Sequence, residues 1–252
     1  MKKTDRQAII LEKVSSGNEF NIVKAASELK VSEETIRRDI KELENKGLVQ
    51  RKHGGATLPN TVVDGSFQSR LKLNSEGKRK IGAAVSELIT DGDSVLIETG
   101  TTTTFVAQSL RDKKSLTVVT NSADVARCLA VQKENDVYMA GGKLSTDDAA
   151  SLGPTAIDYI SKFYVSYAVV SAAGLDPDAG VTVNKVAEAE FSRHVISRAK
   201  QVILVADQTK FGRCSLVSVC DFSQIDILVT DAAPSDELKT ALNKANVETI
   251  IA

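Results

Sequence analysis

The stretch VSEETIRRDIKELENKGLVQRKHGGA (residues 31–56) decides how the first part of the chain folds. Ser32 is a good N-cap, because its side-chain oxygen can take a backbone N–H of the first helical turn. The helix it opens runs to about Lys46 and stops at Gly47, where a left-handed backbone is cheap. At about 100° per residue, Ile36, Ile40 and Leu43 fall within about 60° of one another and define the face turned to a core. Glu34, Arg37, Arg38 and Lys41 then lie on the opposite face. The run LVQRKHGGAT (48–57) alternates and turns on Gly54-Gly55, as a short β-ribbon does. Upstream, Thr4-x-x-Gln7 fits a capping box for a helix that carries Ile9, Ile10 and Val14 inward and ends at Ser15-Ser16-Gly17. A second helix spans about Ile22 to Leu29, with Val23, Ala26 and Leu29 at helical spacing. Three helices and a ribbon over residues 1–57 make a small winged helix–turn–helix.

Periodicity then lapses. Residues 58–75, LPNTVVDGSFQSRLKLNS, hold Pro59, Gly65 and many polar side chains and read as a linker. From Glu76 onward short apolar strands alternate with helices. The strands are SVLIE (94–98), LTVVT (116–120), DVYMA (136–140), YAVVSA (167–172), QVILVA (201–206) and DILVT (226–230), with a further one at VETIIA. Helical stretches at about 76–89, 103–111, 122–131, 186–199 and 235–244 separate them. This βαβ alternation predicts a second domain, 76–252, of the α/β class: Rossmann-like, with a mostly parallel sheet covered on both faces.

At 252 residues and 42% hydrophobic, the chain can bury a sizeable core, and the composition excludes a wholly disordered, collagenous or fibrous protein. The net charge of −1 conceals an uneven distribution. Residues 1–60 carry 12 Lys+Arg against 9 Asp+Glu, or +3, and residues 61–252 carry 20 against 24, or −4. A basic module on an acidic body points to nucleic acid as a partner of the first part alone, since phosphate neutralisation dominates such affinity. Arg37, Arg38 and Lys41, with Ser32 and Thr35 near the N-terminus, suit a recognition helix in the major groove. There arginine can read guanine O6 and N7 while the other cations take phosphates. Arg51 and His53 on the ribbon, with Lys52, are placed for the adjacent backbone or minor groove.

The run 31–56 resembles the N-terminal winged helix–turn–helix of the DeoR family of bacterial sugar-metabolism repressors. Ser32, Thr35, Arg37-Arg38-Asp39, Leu43, Gly47, Arg51 and His53-Gly54-Gly55 stand where that family's motif has them. The resemblance implies a sequence-specific repressor that contacts operator DNA through the region 20–39. Asp39 is read as the partner of a neighbouring cation and not as a base contact.

In the second domain, Glu98-Thr-Gly-Thr-Thr-Thr-Thr104 follows an apolar strand and opens a helix, so its backbone N–H groups and hydroxyls can gather round an anion. Thr120-Asn121-Ser122, Gly141-Gly142-Lys143 and Asp207-Gln-Thr-Lys210-Phe-Gly-Arg213 follow three other strands. Ligands of open α/β sheets bind outside the carboxyl ends of strands, so the four turns are expected to converge on one phosphate-and-hydroxyl pocket. These positions resemble the DeoR sensor domain, which implies an isomerase/CoA-transferase-like fold, close to that of ribose-5-phosphate isomerase, and a phosphorylated sugar as effector. It assigns Gly100, Thr101, Thr102 and Thr103 to a phosphate cradle, Asn121, Gly141 and Gly142 to its lining, and Lys210 to a charge partner. Glu98 stands where the family usually has Asp. Lys78 and Glu188 read equally as site residues or as solvated helical charges.

An isomerase-like enzyme with an accessory helix bundle is the rival reading. A gap-free register back from Lys210 places Ser192 where the isomerase's general-base Glu is expected, and Ser171 and Gly174 where its paired aspartates are. Enediol chemistry then lacks its base, so no catalytic residue is expected, although Glu188 and Glu190 lie near. Cys128, Cys214 and Cys220 are scattered, with no paired spacing or histidine cluster, so neither a disulfide nor a metal is expected, nor any cofactor. Asp5, Arg6, Glu12 and Lys13 interrupt every apolar run near the start, and no 18-residue apolar stretch follows, so a cytoplasmic location without membrane contact is expected. Operator binding through such a module implies a homo-oligomer, a dimer or tetramer.

Overall fold

The computed structural model describes residues 3–15, 20–45, 49–52, 54–57, 65–131 and 134–252. The chain divides into two compact units, Met1–Asn74 and Ser75–Ala252. Among the described residues, no helix is long and apolar enough to cross a membrane.

The first unit runs α1 (Lys3–Ser15), β1 (Phe20–Asn21), α2 (Ile22–Leu29), α3 (Glu33–Asn45), β2 (Gln50–Lys52), β3 (Gly55–Thr57) and α4 (Phe67–Lys72). Ile10, Val14, Ile36, Ile40, Leu43 and Val49 are buried together, so the apolar stripe read from α3 is its core face. Three details differ from expectation. Thr4 lies inside α1, and Gln7 gives its amide to Glu42 at 3.0 Å, so no capping box forms. On α2, Val23 is 59% exposed while Ile22, Ala25 and Ala26 are buried. The side chain of Asn21 accepts the N–H groups of Val23 and Lys24, which sets the helix start and turns Ile22 inward. The ribbon pairs Lys52 with Gly55, so Gly54 lies in the turn and Gly55 is already strand. Gly55 also faces β1, where a Cβ would stand 2.0 Å from the carbonyl oxygen of Phe20.

Of the stretch read as linker, 58–64 lies outside the described residues. The rest is not featureless, because Phe67–Lys72 is helical, capped by Ser66, with Phe67 buried. A single turn and a half with one buried aromatic shows no periodicity to read.

The second unit runs α5 (Ser75–Leu88), β4 (Ser94–Ile97), α6 (Thr101–Ser109), β5 (Thr117–Thr120), α7 (Ala123–Ala130), β6 (Asp136–Met139), α8 (Pro154–Ile160), β7 (Val165–Ser171), β8 (Gly174–Asp176), β9 (Gly180–Val183), α9 (Val186–Ile196), β10 (Ala199–Val205), β11 (Val217–Cys220), β12 (Ile227–Thr230), α10 (Asp236–Lys244) and β13 (Glu248–Ile251). Seven strands form one parallel sheet in the order β13-β12-β10-β7-β4-β5-β6. Successive strand residues point to opposite faces, and the core divides accordingly. Leu96, Val119 and Leu204 pack with α8, α9 and α10, while Val95, Ile97, Val118 and Ile203 pack with α5, α6 and α7. Strands buried on both faces are why the sequence shows apolar runs there instead of alternation. A small antiparallel sheet, β11-β9-β8, and helix α8 were not expected.

From β4 the chain steps outward through β5 to β6, then returns to place β7 on the other side of β4 and continues through β10 to β12 and β13. The direction of winding therefore reverses between β4 and β7. Loops leaving the two strands diverge at such a point and open a crevice at their carboxyl ends.

Candidate functional site

Each unit carries a candidate site. In the first, Ser32 caps α3 by accepting the Thr35 N–H at 3.2 Å, and the two hydroxyls stand 2.9 Å apart. Asp39 is buried and accepts from Arg6 through Nε and one terminal guanidinium nitrogen, the latter at 3.2 Å, which ties α1 to the inner side of α3. That leaves the outer side to Arg37, Arg38 and Lys41, all exposed. Arg37 bonds Glu33 at 3.0 Å. Arg51 pairs with Glu44 and also gives it a backbone N–H at 3.1 Å, which holds the Glu44 carboxyl below its ordinary range. Arg38 and Lys41 have no side-chain partner among the described residues, so these two cations reach a polyanion without giving up an internal bond. His53 lies outside the described residues.

In the second unit Glu98 follows directly on β4, at the carboxyl end where it pairs with β7. Its carboxylate accepts the Ser171 N–H at 2.8 Å and the Ser192 hydroxyl at 2.7 Å, joining the end of β4 to β7 and to α9. Burial pushes this carboxyl up to about 7, against the pull of those two donors, and the charge of Glu188 adds to the rise. Gly100 then begins α6 with no side-chain cap, and a Cβ there would stand 2.5 Å from the Ser171 hydroxyl. Thr101, Thr102, Thr103 and Thr104 are all buried. Thr103 and Thr104 return their hydroxyls to the Gly100 carbonyl at 2.9 and 2.8 Å. The hydroxyls of Thr101 and Thr102 have no partner among the described residues. The start of α6 thus offers free backbone N–H groups, the positive end of the helix dipole and two free hydroxyls.

The neighbouring turn is built round Asn121, which accepts the Thr99 N–H at 2.8 Å and donates to the Ser151 carbonyl at 3.0 Å. Ser151 in turn bonds the Gly141 carbonyl at 3.0 Å, and a Cβ on Gly142, at φ +140°, would lie 2.6 Å from the Ser151 hydroxyl. Glu98, the cradle, Asn121, Gly141 and Gly142 are thereby linked in one network. Glu188 is half-buried and bonded to Lys185 at 3.0 Å. Lys78 is buried, which removes its reading as a solvated charge; it faces Asp207 at 3.9 Å, at the end of β10. Lys210 stands in the single helical turn that Asp207 caps by accepting the Thr209 N–H. Among the described residues, no group of three metal-binding side chains occurs.

The family model described as the DeoR-like helix-turn-helix domain matches residues 6–62, and that of the DeoR C-terminal sensor domain matches residues 73–232. The chain belongs to the DeoR family. The glycerol-3-phosphate regulon repressor of Escherichia coli (strain K12) is 32% identical over 98% of both chains. The HTH-type transcriptional repressor GlcR of Bacillus subtilis (strain 168) is 32% identical over 100% of this chain and 97% of its own. Among solved structures, a D-ribose-5-phosphate isomerase in complex with phospho-erythronic acid is 17% identical, with a TM-score of 0.38 over 53% of this chain and 52% of its own. This DeoR-family chain is a DNA-binding transcriptional regulator and not an enzyme.

Three residues beside this candidate site escaped the sequence reading: Ser151, which ties the Gly141-Gly142 turn to Asn121, and Asp148 and Lys185, whose charges face one another. Asp148 and Ser151 sit in the irregular stretch between β6 and α8, where no hydrophobic period marks a residue as inward. The one signal for Asp148 was a pair of carboxylates, Asp147-Asp148, in a segment that ends on Gly153-Pro154.

Proposed function

We propose that this chain represses a carbohydrate-utilisation operon in the cytoplasm and is released from operator DNA by a phosphorylated sugar bound at the start of α6. The observation that carries the ligand half is the buried, uncapped first turn of α6, whose Thr101 and Thr102 hydroxyls lack partners, at the point where the sheet reverses its winding. Hydroxyls and helix N–H groups left without an internal acceptor are open to a ligand, and a phosphate supplies the acceptors. The DNA half is supported by the free cations Arg38 and Lys41 on the outer side of α3. Helix–turn–helix dimers pair two half-sites about one helical turn apart, so the working form is a homo-oligomer acting on a palindromic or repeated operator. Release requires the effector to bind the DNA-free state more tightly; a 100-fold loss of operator affinity corresponds to about 2.7 kcal/mol of coupling.

The test is an operator-retention assay with the full-length chain and promoter DNA from its own genomic neighbourhood, run against a panel of sugar phosphates. One member of the panel is expected to release the DNA and to raise the melting temperature of the protein. Retention unchanged across the panel, with no thermal shift, contradicts the ligand half; a chain that binds no promoter fragment contradicts the DNA half.

A further inference from the structure

Asp148 is only 7% exposed, yet one of its carboxylate oxygens has no hydrogen-bond partner among the described residues, and the other stands 3.5 Å from the Thr99 hydroxyl. It lies in the segment 141–151, which is closed on itself by a bridge between Leu144 and Ser151 and joined to the turn after β5 by a bridge between Ser122 and Ala150 and by the bonds between Asn121 and Ser151. Thr99 immediately precedes Gly100, so this carboxylate borders the anion cradle. Lys185 feels the charges of Asp148 and Asp147 but gives its hydrogen bond to Glu188. A buried acceptor left without a donor is rare in native proteins and is found where function uses it.

A carboxylate beside a phosphate cradle repels the phosphate itself and needs a donor. Resting on the ligand reading above, we infer that Asp148 accepts a hydroxyl of the effector and so selects a hydroxylated phosphomonoester over a bare phosphate or a phosphorylated alkane. The hydroxyl it reads is only a few bonds from the phosphate, because Thr99 and Gly100 are adjacent in the chain.

The experiment is calorimetric binding to the full-length chain and to Asp148→Asn and Asp148→Ala. Its probes are inorganic phosphate, propyl phosphate, three- to six-carbon polyol and aldose phosphates, and the same sugars without phosphate. The wild-type chain is expected to bind one of the hydroxylated phosphates most tightly. Asp148→Ala weakens that binding by 10- to 100-fold and Asp148→Asn by less, while inorganic and propyl phosphate change by no more than twofold. Without ligand, Asp148→Asn melts at the same temperature as wild type, because the oxygen without a partner has no internal hydrogen bond to lose. Equal binding of the hydroxylated phosphate by wild type and Asp148→Ala overturns the inference, as does a lower melting temperature for ligand-free Asp148→Asn, which marks a merely structural role. Binding of an unphosphorylated sugar that depends on Asp148 upholds the inference and contradicts the phosphate cradle. A wild-type chain that binds no probe overturns both.

Discussion

The two units meet phosphate in opposite ways. In the first, the cations sit on long side chains in water: Arg38 and Lys41 are exposed and free, while Arg37 and Arg51 are held by neighbouring carboxylates until a polyanion competes for them. In the second, the candidate phosphate site is lined by threonines and helix N–H groups on a unit, 75–252, of net charge −5. Mobile exposed charges tolerate a long, variable backbone and respond steeply to salt. Fixed buried dipoles suit one small ligand and are screened far less. The uneven charge along the chain therefore separates two kinds of recognition.

The largest expected effect falls on the scaffold of the exposed site. Asp39→Ala leaves Arg6 in place without its partner, and breaking a buried ion pair in this way costs about 3–5 kcal/mol. Calorimetry of the full chain is expected to show the melting of the first unit displaced and that of the second unmoved. A common shift of both transitions would mean that the units unfold together.

Next comes the buried carboxyl that follows β4. The folded carboxyl of Glu98 sits at about 7, against an ordinary 4.5. The folded state therefore holds more protons than the unfolded one between those values, and stability falls as pH rises through that window and levels off above it. The full loss is roughly 3 kcal/mol, of which about 2 falls between pH 5.5 and 8. Glu98→Gln keeps an acceptor for the Ser171 N–H and removes the charge. Denaturant titrations at the two pH values are expected to show the variant gaining on wild type by that difference; parallel curves would place the Glu98 titration elsewhere.

How much of this the sequence revealed follows from what each residue answers to. The parallel strands were legible because burial on both faces writes unbroken apolar runs such as Val95-Leu96-Ile97 and Ile203-Leu204-Val205. The antiparallel strands β8, β9 and β11 were not, because Gly174, Asp176, Gly180, Thr182 and Ser218 break their apolar runs. Val23 was misplaced because the start of α2 is fixed by the side chain of Asn21, which shifts the buried face by one residue. The threonine-lined start of α6 was visible as a strand-to-helix turn, and the cation face of α3 as an angle on a wheel. Asp148 was invisible, since its place beside Thr99 depends on the path of an irregular loop. Local periodicity reports which way a side chain faces, and it carries nothing about what crosses above it.

Arg38→Ala probes the exposed site directly. Operator affinity is expected to fall by about 1–3 kcal/mol if the arginine reads a base, with relaxed specificity at that position. If it takes only a phosphate, the loss is uniform across sequences and the salt slope drops by about 1. The two outcomes divide base reading from phosphate positioning, and an unchanged affinity removes Arg38 from the interface. Ligand binding by the second unit is expected to keep its weak salt dependence in this variant.

Thr102→Ala is the smallest change and the finest test of the contrast. Its hydroxyl has no internal partner, so its removal strands nothing and leaves the folded protein close to wild type in stability. What is lost is one hydrogen bond to the ligand, about 0.5–1.5 kcal/mol, or more where the acceptor is an ionised phosphate. The effector concentration needed for half-release of operator is therefore expected to rise several-fold, with operator affinity in the absence of effector unchanged. Thr104→Ala is the control, because that hydroxyl already bonds the Gly100 carbonyl at 2.8 Å and has none to spare for a ligand. If the two variants respond alike, the distinction between free and engaged threonines has no bearing on binding, and the start of α6 is a folded helix end and nothing more.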